Sequence, residues 1–161
     1  MKSSKNNRQK TAGGEGTSLP TITFNGDRHN GHFEVRILGR TTLLPCALFR
    51  TLIDLVIARA ETETGFLPEN PVTIRRLRQA IDQAVKPGTG KTLIETGSGE
   101  EYRLTIPKEE ILQEVAFERG FFELEGLKVI TKLQADSIRS FVIRRKSSRN
   151  RAEIGKKWSR N

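Results

Sequence analysis

Four side chains that could ligate a metal ion lie in the first third of the sequence. They are Asp27, His29, His32 and Cys46. A tetrahedral zinc site needs four ligands, and no second cluster accompanies the two histidines. Cys46 has no partner that would make it a nucleophile, and a cysteine early in an apolar helix is usually structural. These residues therefore predict neither a metal site nor cysteine catalysis.

A second group, over 87–92, has the sequence Pro-Gly-Thr-Gly-Lys-Thr and contains the Gly-Lys-Thr step of a phosphate-binding loop. That motif needs another glycine five residues before its second glycine, and this chain has Val85 there. We also expect a strand after the run, whereas in the motif a following helix aims its backbone amides at the phosphates.

Glu109 and Glu110 are consecutive carboxylates that suit the start of a helix, where their negative charges complement the helix dipole. We predict no cofactor, no small-molecule substrate and no enzyme activity.

The net charge of the 161-residue chain is +9, and it is concentrated in two terminal segments. Residues 1–18 contain four Lys or Arg against one Glu, and residues 144–161 contain eight against one. Residues 19–143 are nearly neutral, with 16 positive and 17 negative side chains. Because both ends have few bulky apolar residues, we predict that they are disordered basic tails. Such tails attract phosphate backbones through salt-dependent contacts that do not read sequence.

Length and composition set the broad class of the protein. The length predicts one domain with appended tails, which excludes a large multidomain enzyme. A single cysteine, Cys46, excludes an intramolecular disulfide. No apolar run approaches the ~20 residues of a membrane span, and the first residues lack the apolar segment of a signal peptide. We expect a cytoplasmic protein without a membrane partner, associated with the nucleoid if it is bacterial.

The neutral stretch begins with patterns of strands and one helix. Ile22 and Phe24, followed by the alternating residues of 33–37, predict a β-hairpin with Asn-Gly turns between its strands. Apolar residues at helical spacing predict a helix from 43 to 60, with Thr42 as its N-cap. The first elements needed to position a site are therefore a hairpin and a long apolar helix.

A second helix and a second hairpin follow. Ile74, Leu77 and Ile81 lie at helical spacing and predict a helix over 73–85 with these side chains in the core. A glycine-rich turn predicts a hairpin over 92–106. A short basic helix followed by a two-stranded hairpin is typical of a winged helix-turn-helix, in which the helix enters the major groove of DNA.

Residues 107–143 lie beyond this pattern. We predict a third helix that ends at Gly120, a short strand over 121–124 and a last helix from about Leu133. We expect this extension to pack on the wing side or to form a homodimer contact. That expectation rests on the apolar side chains of Phe121, Phe122, Ile138 and Phe141.

Three motifs resemble the DNA-binding effector domain of response regulators of the OmpR/PhoB type. The first helix matches at Leu44, Phe49, Leu52 and Leu55; the second at Ile74, Leu77, Arg78 and Ile81; the hairpin at Thr96, Gly97, Gly99, Tyr102, Arg103 and Leu104. The resemblance covers 22–106 and implies a winged helix whose second helix reads DNA. Two features depart from the family: the connector is short for a middle helix, and Glu100 and Glu101 would repel phosphates.

The resemblance, together with the basic tails, implies a set of DNA-binding residues. These are Thr73, Arg75, Arg76, Arg78, Gln79 and Arg103 in the module, with Arg144, Arg145 and Lys146 at the start of the tail. The helix positions would face base edges, except Arg78, for which a phosphate contact or a structural ion pair is expected. The alternative is that the three arginines of this helix are ordinary solvent-facing residues.

The prediction is an α+β protein with an N-terminal hairpin, a winged helix over 19–106, an extension over 107–143 and basic tails over 1–18 and 144–161. Its predicted function is DNA binding, as a transcriptional regulator. Two alternatives stay open, namely a winged helix that docks protein, which the acidic wing favours, and an RNA- or ribosome-associated protein bound through its tails. DNA is favoured over RNA, and a homodimer is compatible with both.

Overall fold

A computed structural model describes residues 19–62 and 65–144 of the chain. The predicted tail over 1–18 and the residues after 144, including Arg145 and Lys146, lie outside the described residues. Within them the protein is mixed α+β, which confirms the predicted class. Each helix in this part of the chain is too short or too polar to cross a bilayer.

A four-stranded sheet forms one side of the molecule. Its strands are β1 (Ile22–His29), β2 (His32–Ile37), β3 (Arg40–Pro45) and β6 (Val115–Phe117), in the order β3-β2-β1-β6. The first three strands form an antiparallel meander, and β6 pairs in parallel with β1. The predicted hairpin is thus part of a larger sheet. A separate two-stranded hairpin consists of β4 (Ile94–Thr96) and β5 (Tyr102–Leu104).

The helices are α1 (Cys46–Glu61), α2 (Pro71–Ala84), the short α3 (Thr89–Leu93), the single turn α4 (Ile111–Glu114) and α5 over 132–144. Two 3-10 segments, Lys108–Glu110 and Arg119–Glu125, flank β6. The α1 helix lies in the centre, where it contacts α2, β3 and β5. Its buried face includes Phe49, whose ring packs edge-on against Phe24 of β1 with the centroids 5.8 Å apart.

The predicted start of the first helix is wrong. Thr42 is a strand residue paired with Val35, Leu44 pairs with Phe33, and the helix begins only at Cys46 after Pro45. In the strand, the Leu44 side chain is completely buried and the backbone is bonded to β2. Sheet pairing therefore overrides the helical spacing that Leu44 shares with α1.

The predicted helix ending at Gly120 is also wrong, and so is the strand over 121–124. The helix ends at Glu114, Val115–Phe117 is the strand β6, and Phe121 to Leu124 lie in a 3-10 segment. The physical reason is the pairing of β6 with β1, which stacks Phe117 on Phe24 with their centroids 5.0 Å apart.

The 107–143 segment completes the core of the domain and does not stand apart from it. Phe121 packs against Phe49, and Phe121, Ile138 and Phe141 are buried. The segment supplies a strand to the N-terminal sheet, so the expectation that it packs on the wing side is wrong. These three side chains are not available for the predicted dimer contact, because the monomer already buries them.

Candidate nucleic-acid interface

The α2 helix is built to present one polar face to solvent. Its N-cap is Asn70, whose Oδ1 accepts a hydrogen bond from the backbone N–H of Val72 at 3.0 Å, and Pro71 occupies the first turn. Ile74, Leu77 and Ile81 are buried, as predicted from their spacing. Capping and burial together fix which side of the helix faces outward.

The outward face of α2 is rich in cations and amides. Arg75, Arg76 and Gln79 are exposed, as is Gln83 one turn further along, and Lys86 follows just after the helix end. Within residues 19–62 and 65–144, neither Arg75 nor Arg76 forms an ion pair. Gln83 and Lys86 were not predicted from the sequence, although Gln83 lies four residues after Gln79 and so on the same face.

Arg78 has a structural position. Its guanidinium donates to the carbonyl oxygen of Ile94 from Nε at 3.2 Å and from Nη2 at 2.7 Å, and to Oγ1 of Thr96 at 3.0 Å. The same group lies over the ring of Tyr102, 5.3 Å from its centroid. Arg78 thus ties α2 to both hairpin strands through hydrogen bonds and a cation–π contact. The predicted ion pair is absent among these contacts.

Arg103 is engaged on the hairpin itself. It stands opposite Glu95 in the β4–β5 register and forms a salt bridge with that carboxylate. The hydrogen bond to Glu95, reinforced by its charge, raises the pKa of Arg103 above the usual value. A phosphate would have to compete with Glu95 for this guanidinium.

The tip of the hairpin is acidic, but its two carboxylates differ. Glu101 is half-buried, and its carboxylate accepts a hydrogen bond from the backbone N–H of Gly99 at 2.9 Å. Glu100 is exposed and has a left-handed backbone, with φ of 68°. One negative charge is therefore held in the turn, while the other faces solvent.

The connector between α1 and α2 lies partly alongside the hairpin. Phe66 and Tyr102 exchange two backbone hydrogen bonds, of 2.6 Å and 2.8 Å. A bridge to β5 thus occupies part of the connector, which is short for the middle helix that the family resemblance implies. Thr73 lines a groove beside Phe66 and Arg50 of α1. This groove is separate from the one between α2 and the hairpin, which Arg75 and Gln79 line.

A groove lies between α2 and the hairpin. It has a volume of about 480 Å³, and its lining includes Arg75, Arg78 and Gln79 of α2, Lys91 of α3 and Tyr102 of β5. Lys91 was not singled out from the sequence, because the pattern around it predicts a turn and a strand where α3 lies. At the end of α5, Arg144 is exposed and lines a different groove beside Lys108 and Ala60.

The glycine-rich run over 87–92 is not built as a phosphate cradle. The strand expected after it is preceded by the short helix α3, and Gly88 has a positive φ of 93°. The carboxylate of Asp82 accepts a hydrogen bond from the backbone N–H of Gly90 at 2.7 Å. The Asp82 carboxylate thus already accepts a hydrogen bond from an N–H group that a bound phosphate would need.

The other chemical candidates are not assembled into a metal site in the described residues. His29 contacts Glu34 at 3.4 Å across the β1–β2 hairpin, and His32 lies opposite His29 in the register. Cys46 is the first residue of α1 and is half-buried. The described part of the chain contains no group of three or more His, Cys, Asp or Glu side chains placed to hold a metal ion.

Comparison of the chain with known proteins yields no family model, no curated protein and no solved structure that matches it.

Proposed function

We propose that the protein binds DNA as a transcriptional regulator, with α2 as its recognition helix and the β4–β5 hairpin as its wing. The observation that carries the proposal is the polar face of α2, on which Arg75, Arg76 and Gln79 are exposed. Arginine pairs with the acceptors of guanine and glutamine with adenine in the major groove, which admits an α-helix.

The arrangement of α2 and the hairpin supports a winged-helix architecture. Strands, the α1 helix, the α2 helix and the hairpin follow in that order, and Arg78 attaches α2 to the hairpin. A second contact, from Nε of Arg59 in α1 to the carbonyl oxygen of Ile106 at 2.7 Å, holds the chain just after the hairpin. The two tethers give the wing a defined position beside the recognition helix.

The basic ends add affinity in this proposal but no sequence readout. Residues 144–161 contain eight Lys or Arg and one Glu, and neutralising phosphates with them releases counterions. Specificity would then depend on α2, because phosphate contacts carry no sequence information directly.

A second candidate is a module that docks protein through the same hairpin. The observation in its favour is the exposed carboxylate of Glu100 at the tip, which would repel a DNA backbone. A third candidate is an RNA- or ribosome-associated protein that binds through its tails alone. Cytoplasmic or nucleoid location is part of the proposal and follows from the DNA ligand.

Binding of the full chain to random duplex DNA tests these candidates. The variant Arg75→Ala/Arg76→Ala should lose about tenfold or more in affinity, since it removes two cations from the face of α2 that approaches the duplex. A charge-matched control is Arg28→Ala/Arg119→Ala, which removes two exposed arginines from β1 and from the segment after β6. The control should keep α2-dependent binding.

The remaining outcomes separate the candidates. If both double variants bind equally, and a chain lacking 144–161 does not bind, the tails alone bind nucleic acid and the proposal for α2 is wrong. If no variant and no wild-type protein binds duplex DNA at low salt, the protein-docking candidate is favoured.

A further inference from the structure

The groove between α2 and the hairpin combines a cationic rim with apolar walls. Among its lining residues, Arg75, Arg78 and Lys91 are cations and Asp82 is the single carboxylate, so the lining carries a net charge of two positive units. Pro71, Val72 and the ring of Tyr102 supply the apolar surface. A ligand that matches this lining has one anionic group and one compact apolar group.

Two of the three cations are available to such a ligand. The Arg78 guanidinium is already bonded to Ile94 and Thr96, whereas Arg75 and Lys91 are exposed and have no ion-pair partner within the described residues. The single carboxylate, that of Asp82, is directed to the N–H of Gly90 at 2.7 Å. Arg75 from α2 and Lys91 from α3 therefore stand as the free charges of the groove.

We propose that this groove seats the sugar–phosphate backbone of one DNA strand, with Lys91 and Arg75 on the phosphate and the sugar against Tyr102 and Val72. This assignment rests on the proposed function and adds the way in which the duplex is oriented.

The orientation is consistent with base reading by the rest of α2. Successive helix residues are about 100° apart, so Arg76 points away from the groove when Arg75 lines its edge. A backbone seated at Arg75 and Lys91 would leave Arg76 and Gln83, both exposed, for the neighbouring major groove. Lys91 thereby becomes a phosphate-contacting residue that fixes the register of the helix.

The test is the salt dependence of duplex binding by the full chain, for wild type, Lys91→Ala, Lys91→Arg and Lys132→Ala. Removal of one phosphate contact should lower the slope of log K against log salt by about 0.9. Lys132 is an exposed lysine at the start of α5, so Lys132→Ala removes the same charge elsewhere. We expect the loss in Lys91→Ala only, equally on random and selected duplexes, and a wild-type slope in Lys91→Arg.

Two other outcomes would overturn the groove assignment, and both can be distinguished from a failure of the proposed function. If Arg75→Ala/Arg76→Ala weakens binding but Lys91→Ala has the same slope as Lys132→Ala, α2 binds DNA and the groove does not hold a phosphate. A sequence-dependent loss in Lys91→Ala would also overturn it, because a phosphate contact weakens all sequences alike. If the α2 double variant binds as wild type does, the proposed function itself fails.

Discussion

Arg78 of α2 donates two hydrogen bonds to the carbonyl oxygen of Ile94 in the hairpin, from Nη2 at 2.7 Å and from Nε at 3.2 Å. Ile94 is completely buried, and within the described residues β4 pairs only with β5, so the outward carbonyl of Ile94 depends on this donor. A residue whose charge and position would suit it to nucleic acid instead joins two elements of the fold. The position of the hairpin beside α2 therefore depends in part on this one arginine.

Replacing Arg78 should destabilise the protein. Hydrogen bonds to a charged group contribute about 1.5–3 kcal/mol, so Arg78→Ala should lower the free energy of unfolding by about that amount. Arg78→Lys keeps the charge but lacks the planar fork, and it should recover only part of the loss. Urea unfolding measures both values.

The matched control for this prediction is Arg76→Ala, two residues away on the exposed face of α2. Surface substitutions of this kind usually change stability by less than about 0.5 kcal/mol. Equal midpoints for Arg78→Ala and Arg76→Ala would show that the bonds to Ile94 do not stabilise the fold.

A close backbone approach joins β1 to the segment after β6. Gly26 has φ of 90°, and a Cβ there would lie 2.3 Å from the carbonyl carbon and oxygen of Gly120. Gly26→Ala should therefore combine the cost of a left-handed alanine with a backbone clash. Gly31→Ala isolates the first cost, because Gly31 has φ of 83° and a Cβ there would meet nothing within 4 Å.

We expect Gly31→Ala to cost about 1–2 kcal/mol from the left-handed backbone alone. Gly26→Ala should cost more by about 1–3 kcal/mol, the usual penalty for overpacking. Denaturant unfolding of the two variants gives the difference directly. Equal losses would mean that β1 and the 3-10 segment separate readily at this point.

The parts of the fold that follow local pattern were predictable from the sequence, and the parts that depend on distant pairing were not. The burial of Ile74 and Leu77 follows from their spacing, and α2 begins within two residues of its predicted start. Leu44 has the same helical spacing to α1, but its pairing with Phe33 places it in a strand. Local periodicity does not reveal that partner.

The candidate site shows the same division. The exposure of Arg75, Arg76 and Gln79 follows from the buried stripe of α2, which any helical projection supplies. The contact of Arg78 with Ile94 spans 16 residues and depends on how the hairpin folds back. Lys91 enters the groove only because α3 is helical, and the two glycines near it favour a turn instead.

Asp54 in α1 provides a pH-dependent prediction. Burial raises the pKa of this carboxyl above the usual 3.8, against the opposing effects of the hydrogen bond from Gln134 and the charge of Arg50. The folded protein therefore keeps the proton at pH values where the unfolded chain has released it. Its free energy of unfolding should fall as the pH rises from about 3.8 through the raised pKa.

The variant Asp54→Asn removes this titration while its amide oxygen can still accept the 2.7 Å hydrogen bond from Gln134 Nε2. Its stability relative to wild type should accordingly be greater at pH 7 than at pH 3. Unfolding curves across this range test the sign, with Asp27→Asn as an exposed carboxyl control. A difference that stays constant with pH would show that Asp54 titrates alike in both states.

The acidic tip of the hairpin provides the last prediction. Glu100 is exposed, unlike Glu101, whose carboxylate is held by the N–H of Gly99. If the hairpin lies beside DNA, Glu100→Gln removes a repulsive charge and should raise duplex affinity. The gain at low ionic strength should be about threefold, the Coulomb effect of a unit charge about 7 Å from a phosphate in water.

The matched control is Glu123→Gln, which removes an exposed carboxylate from the 3-10 segment beside the four-stranded sheet. Fluorescence anisotropy with a labelled duplex should show the gain for Glu100→Gln alone, and salt above about 0.5 M should remove it, because the Debye length then falls below the separation. Equal affinities for the two variants would place the tip away from the phosphates. The wing would then face a protein, and α2 alone would approach the duplex.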